Sequence, residues 1–155
     1  MKFLLKMLLF TSFVFANEGG GQILIKKSEQ KIYEPNESYF SGKPLVKMIF
    51  SAENFSVASV RFDKGVRTAW HTHPAGQRLI VTSGVIYTGT KYGVVQVANV
   101  GDAIFCPPDT PHWHGAGLDT HGEHIAITGI KDNKSVTWLE KLSDAEYENF
   151  IKGVK

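Results

Sequence analysis

All six histidines of the 155-residue chain fall between His71 and His124. His71 and His73 stand two residues apart, and so do His112 and His114. On a β-strand alternate side chains project to one face, so each His-x-His pair can aim two imidazoles at a single point. Imidazole is the commonest protein ligand for a divalent transition metal, and a pair at i, i+2 offers two nitrogens without distorting the backbone. One such pair is a weak signal, because strands often expose histidines. Two pairs, each framed by turn residues (Gly65 and Pro74-Ala75-Gly76, then Gly101 and Pro107-Pro108 with Pro111), form a stronger one.

Positioning these pairs requires strands, and the chain around them reads that way. Residues 22–26, 45–50, 55–62, 77–82, 94–100 and 123–130 are short runs rich in Val, Ile and Phe, with lengths that suit strands rather than helices. Asp63-Lys64-Gly65, Pro74-Ala75-Gly76, Gly101-Asp102 and Pro107-Pro108-Asp109 between them are turn chemistry. No amphipathic helix intervenes, which predicts an all-β antiparallel sandwich or barrel. At the C-terminal end, residues 143–155 read as a helix. Ser143 with Glu146 makes a capping box, Leu142 and Tyr147 a hydrophobic staple, and Tyr147, Phe150 and Ile151 share one face. That helix carries no visible chemistry.

Composition narrows the function. A single cysteine excludes a disulfide framework and any zinc site built on paired thiolates. The formal charge of +2 depends on the N-terminus. Residues 1–16 match a secretory signal peptide: Lys2 and Lys6, a short apolar run from Met7 to Phe15, and Ala16 before the cut. That run is too short to span a bilayer, which takes about 20 residues. Cleavage removes two of the 17 basic residues, leaving as many as the 15 acidic ones. A neutral mature chain lacks the basic field that nucleic-acid binding demands, so no nucleic-acid partner is expected. After signal removal no membrane contact is expected either. The short signal points to a secreted protein of a bacterial periplasm. Residues 17–30 open with Glu18-Gly19-Gly20-Gly21 and read as a flexible N-terminal segment, followed by a barrel over 31–142. Asn36, Asn54 and Asn133 each begin an Asn-x-Ser triplet, a glycosylation signal only in a eukaryotic secretory pathway.

The spacing around the histidines resembles the two motifs of the cupin family. Gly65, five residues, His71-Thr72-His73, three residues, Gln77, six residues, Gly84 follows the first, with Gln77 where Glu is usual. Gly101, five residues, Pro107, then Asp109 and His112 follows the second, with Asp109 in place of Gly and Ala116 in place of the frequent Asn. Residues 85–100 separate the motifs, a short gap like that of small single-domain cupins. The wording of residues 67–74, 76–77, 79–82 and 112–116, with Trp138 and Glu146-Tyr147, is similar to the small cupins that include manganese-dependent hydroxynitrile lyases. The resemblance implies a jelly-roll barrel, an antiparallel β-sandwich with a short C-terminal helix. It also implies one divalent metal ion per chain, held by His71, His73, Gln77 and His112. Manganese is the ion favoured by that likeness, while nitrogen and oxygen donors also suit Fe, Ni, Co or Zn. All four donors are neutral, so the ion would keep its full charge, where a Glu at position 77 would cancel one unit.

Three further residues carry a candidate catalytic role. His114 shares a face with His112 but exceeds the ligand motif, so it is either a general base or a hydrogen-bonded barrel histidine. His124 alternates with Ile125 and faces inward with Ala126 and Thr128, either assisting or filling the core. Arg67 can steady an anion, bridge a dimer or lie on the surface. His121 sits in a turn and is expected to be solvated. Cys106 reads as a small buried residue rather than a nucleophile. These residues support a lyase with the metal as Lewis acid and a histidine as base, acting on a small-molecule substrate. The alternatives are an iron-dependent dioxygenase and a non-catalytic metal- or small-molecule-binding barrel. Exposed sheet edges, with residues 22–50 available for pairing, lead to the expectation of a homodimer.

Overall fold

The protein is described by a computed structural model over residues 21–154. The expected signal peptide and the start of the flexible segment lie outside the described residues. The elements in chain order are β1 (Lys31–Tyr33), β2 (Phe40–Ser41), β3 (Leu45–Ser51), β4 (Phe55–Phe62), β5 (Arg67–Thr68), β6 (His71–Thr72) and β7 (Gln77–Thr90). They continue with β8 (Val95–Asn99), β9 (Ala103–Cys106), β10 (His112–Ala116), β11 (Gly122–Gly129), β12 (Thr137–Trp138) and α1 (Asp144–Gly153). Short 3-10 turns cover Lys27–Glu29 and Glu37–Tyr39.

The strands form one antiparallel sheet of twelve that folds over on itself, in the order β1-β3-β4-β11-β7-β10-β5-β2, with β6, β8, β9 and β12 attached to that path. The fold line runs through β7. Its first half pairs with β11 and β9, and its second half pairs with β10 and β8. Gly84 marks the corner with φ of 63°, and a Cβ there would meet the His121 carbonyl oxygen at 2.0 Å. Only glycine fits both demands. A register shift between Glu123 and His124 on β11 accompanies the bend.

Alternation decides what lies inside. On β11 the side chains of His124, Ala126 and Thr128 are buried, as are Gln77, Leu79 and Val81 on β7. They meet Phe40, Val46, Val60, Phe62, Ile86 and Ala116 in the barrel core. Burying each large apolar side chain here contributes on the order of 2 kcal/mol. A second cluster lies outside the barrel wall, where α1 covers β10: Trp70, Trp113, Leu142 and Tyr147. Ser143 caps the helix in a reciprocal capping box with Glu146, as the sequence predicts. Gly115 lets the helix approach, since a Cβ there would meet Tyr147 Oη at 2.7 Å and Arg67 Cβ at 2.5 Å. Because β10 has one face in the barrel and the other under the helix, all five of its residues are buried.

Two sequence expectations are corrected. Residues 22–26 form no strand, because the edge position they would fill is taken by β1, which pairs with β3. The run at 77–82 extends to Thr90, since a glycine at the corner bends the strand without ending it.

Candidate metal centre

The first motif delivers His71 on β6 and His73 just beyond it, and Pro74-Ala75-Gly76 then turns the chain into β7. Gly76 adopts φ of 75° and its N–H returns to the His73 carbonyl at 3.1 Å. The second motif delivers His112 at the start of β10, directly opposite His71 in the β6–β10 pairing. Its turn is tied to the first motif through the Asp109 N–H, which donates to the His73 carbonyl at 2.9 Å. Asp109 sits at φ of 56°, the left-handed conformation that explains the family's usual glycine and that Asp tolerates better than most residues.

His71, His73 and His112 are buried, and their ligand atoms all lie within 4.8 Å of one another. Each ring is aimed by a backbone carbonyl that accepts from Nδ1: Ala69 O for His71 at 2.9 Å, Ser135 O for His73 at 2.5 Å and Thr110 O for His112 at 2.9 Å. A carbonyl can only accept, so these contacts place the proton on Nδ1 and leave Nε2 as a lone pair. Burial, opposed by these same bonds, lowers the pKa of all three. His71 lies well below its ordinary value, with its histidine neighbours adding to the shift, and His112 is lowered to about 4. His73 Nε2 is fully buried with no hydrogen-bond partner. Three neutral imidazoles with converging lone pairs, one of them orphaned, fit a divalent transition ion. The three histidines are positioned to bind a metal.

Gln77 lies beside them. Its Nε2 donates to Thr128 Oγ1 at 3.0 Å, which turns Oε1 toward His112 Nε2 at 3.4 Å. The structure brings His114 and His124 to the same interior. The His114 ring centroid is 5.2 Å from that of His71 and 4.9 Å from that of His124, and both lie 5.7 Å from Phe62. Nδ1 of His114 and both ring nitrogens of His124 are buried without a partner. Burial holds His114 well below the ordinary histidine range, with the neighbouring histidines adding to it, and lowers His124 to about 3. Among the described residues no carboxylate is buried.

Arg67 is placed elsewhere. It pairs with Gly115, on the face of β10 opposite His112 and His114. Its guanidinium donates to the Leu142 carbonyl at 2.8 Å and to Asp144 Oδ1 at 2.6 Å, and it covers the Tyr147 ring at 4.6 Å. At 4 % exposure it is neither a surface residue nor a neighbour of the histidines, so the anion-steadying expectation is corrected: it anchors α1. His121 is half-buried rather than solvated, with Nε2 at 2.9 Å from Ser83 Oγ. Cys106 is buried, which raises its thiol to about 12, in keeping with an inert role.

Sequence reasoning missed the residues that surround the ligands. Ser135 contributes through its backbone, which no side-chain pattern reveals. Thr128 was visible in the alternation of β11, but not its hydrogen bond. Tyr39 and Trp138 come from short elements far apart in sequence, and their rings stack at 4.6 Å beside His71; Trp138 entered the sequence reading only through the resemblance, with no role attached.

A small antiparallel barrel carrying inward histidines, three of them positioned to bind a metal, defines the class of the fold and its candidate site. The sequence profile described as "Cupin domain" matches residues 58–127. The chain is 40% identical over 112 residues to the (R)-mandelonitrile lyase of Granulicella tundricola, covering 70% of this chain and 86% of that protein. This protein belongs to the cupin domain family. Among solved structures, a cupin-like protein from Thermotoga maritima is similar with a TM-score of 0.73 and 34% identity, over 77% of this chain and 93% of that one. The polyketide cyclase RemF from Streptomyces resistomycificus shares the fold, with a TM-score of 0.65 at 17% identity over 83% of this chain and 92% of that one.

Proposed function

We propose that this protein is an exported, metal-dependent lyase that cleaves or forms the carbon–carbon bond of a cyanohydrin, with one ion held by His71, His73, Gln77 and His112. The observation that carries the reading is His114: a buried imidazole beside the triad, with an unpartnered ring nitrogen. A purely structural core histidine would be hydrogen-bonded. The 40% identity to a mandelonitrile lyase supports the choice of reaction.

A divalent ion in this site would supply Lewis acidity, lowering the cost of negative charge on a substrate oxygen. The remaining work falls to the chain. Gln77, fixed by Thr128, leaves the centre's charge uncompensated, and manganese is the favoured ion. His114 accepts the hydroxyl proton of the cyanohydrin. The bond to the nitrile carbon breaks with its electron pair leaving on cyanide, the carbonyl forms, and the proton passes from His114 to cyanide. His124, its ring centroid 4.9 Å from that of His114, assists that transfer. The apolar core packed against these histidines, with Phe62 beside both His114 and His124, would exclude bulk water and favour an uncharged substrate.

The test is metal analysis of the purified protein together with its action on mandelonitrile. One equivalent of metal with release of benzaldehyde and cyanide supports the lyase. Oxygen consumption by the Fe(II)-loaded protein, with no cyanohydrin cleavage, would replace it with the dioxygenase reading. Two further parts of the proposal are separately measurable. Export to a periplasm predicts a mature chain beginning at Asn17 by mass spectrometry. The exposed edge strand β1 favours a homodimer, and a monomer mass by light scattering at micromolar concentration would remove it.

A further inference from the structure

The ligand histidines lie within residues 58–127 that match the family, yet two of the three are held by a segment beyond that stretch. Ser135 supplies the carbonyl that accepts from His73 Nδ1. Three residues later, Trp138 stands directly opposite His71 in the pairing of β12 with β6, its ring centroid 4.9 Å from the imidazole at an angle of 43°. Cross-strand partners of this kind lie on one face and fix each other's rotamers.

The segment is itself held. Between β11 and β12, Lys131 and Lys134 exchange backbone hydrogen bonds of 3.0 and 2.9 Å across Asp132 and Asn133, at φ of 52° and 59°. Two consecutive positive φ values make the tight hairpin turn that sends the chain straight back. Past Trp138 the pairing continues, with Leu139 N–H donating to the Trp70 carbonyl at 2.8 Å and Trp70 N–H to Glu140 at 3.0 Å. The indole is fixed from its other sides by Tyr39, stacked at 4.6 Å and 6°, and by Phe40, edge-on at 5.5 Å.

We propose that residues 135–138 form a clamp on the metal centre, in which Trp138 is the positioning residue for His71 while the Ser135 carbonyl orients His73. The inference deepens the metal reading above and rests on it. Indole offers no ligand atom, so Trp138 acts through His71: it denies the imidazole the rotation that would turn Nε2 away. Outer contacts that orient a ligand are worth about 10–100-fold in metal affinity.

The test uses the full chain loaded with Co(II), reading affinity by chelator competition and ligand geometry by the visible absorption bands. Trp138→Ala is expected to weaken binding at least about 10-fold and to shift the bands, and Trp138→Phe to restore most of both. Lys152→Ala, an exposed position on α1 paired only with Glu148, is expected to change neither. Should Trp138→Ala fail to fold by circular dichroism, Trp138→Leu carries the same expectation. Wild-type affinity and bands in the folded variant overturn the clamp. A wild-type chain that takes up no Co(II) overturns the metal reading itself, and the clamp with it.

Discussion

Gln77 Oε1 lies 3.4 Å from His112 Nε2, and neither atom has a proton to give the other. The His112 proton is on Nδ1, donated to the Thr110 carbonyl, and the Gln77 amide hydrogens are on Nε2, facing Thr128. Two acceptors brought together in a buried site repel unless a cation lies between them. An ion held by both residues would relieve that repulsion, so this contact fits the metal reading that the histidine triad carries.

The first prediction follows from that pair. His71→Ala, His73→Ala or His112→Ala should each abolish stoichiometric metal and lower the melting temperature, because metal binding couples to folding. Gln77→Glu should retain the ion, bind it more tightly and weaken its Lewis acidity, since one unit of charge is cancelled. Metal analysis with differential scanning calorimetry checks both. Full occupancy in a His71→Ala, His73→Ala double variant would refute the site.

Acid should destabilise the metal-free protein. An unfolded histidine titrates near 6.5, whereas His112 is lowered to about 4 and His124 to about 3. Between those values and 6.5 the unfolded chain binds more protons than the folded one, so stability rises with pH across that window. It is fully present above about 6.5 and is lost as pH falls toward 4 and then 3. His124, packed against His114 and Phe62, isolates one contributor. Thermal unfolding from neutral to acid pH should show the fall, and His124→Phe should make it shallower. A melting temperature independent of pH in this range would contradict the placement of these rings.

Arg67 is expected to matter for stability rather than for the metal. Asp144 is largely exposed, so its ion pair with Arg67 contributes little. The Leu142 carbonyl and the Tyr147 ring are buried, and Arg67→Ala would leave that carbonyl unpaired and a gap over the ring. The cost should be roughly 2 kcal/mol, read by urea denaturation. Metal stoichiometry should stay at the wild-type value.

The sequence was most informative where a single local rule governs. The Ser143–Glu146 box starts α1, and the alternation of His124, Ala126 and Thr128 correctly turns those side chains inward. Two His-x-His pairs with their turns were enough to bring His71, His73 and His112 together. Arg67 escaped the same reasoning because it sits on a two-residue strand, and which face it shows depends on its pairing with Gly115 rather than on neighbours in sequence. Short strands such as β5, β6 and β12 carry no period to detect; their existence is imposed by the longer strands they pair with. Ser135 was illegible for another reason, since its contribution is a carbonyl that every residue possesses.

The final prediction separates binding from chemistry at His114. Its backbone N–H is fixed by Thr68 Oγ1 at 3.1 Å, so the strand position survives side-chain removal. Its ring touches His71, His124 and Phe62 but forms no hydrogen bond through Nδ1. Truncation should therefore disturb packing modestly and leave the three ligand rings on their own carbonyl anchors. A general base is worth about 10²–10⁴-fold in rate, so His114→Ala should keep one metal per chain and lose turnover of mandelonitrile by that factor. His114→Gln, which can hydrogen-bond but cannot take up a proton near neutral pH, should lose as much. Metal content and initial rate measured on the same samples decide the matter. A variant that keeps its rate makes His114 structural, one that loses its metal makes it a ligand, and recovery by His114→Gln would show that hydrogen bonding alone is what the site requires.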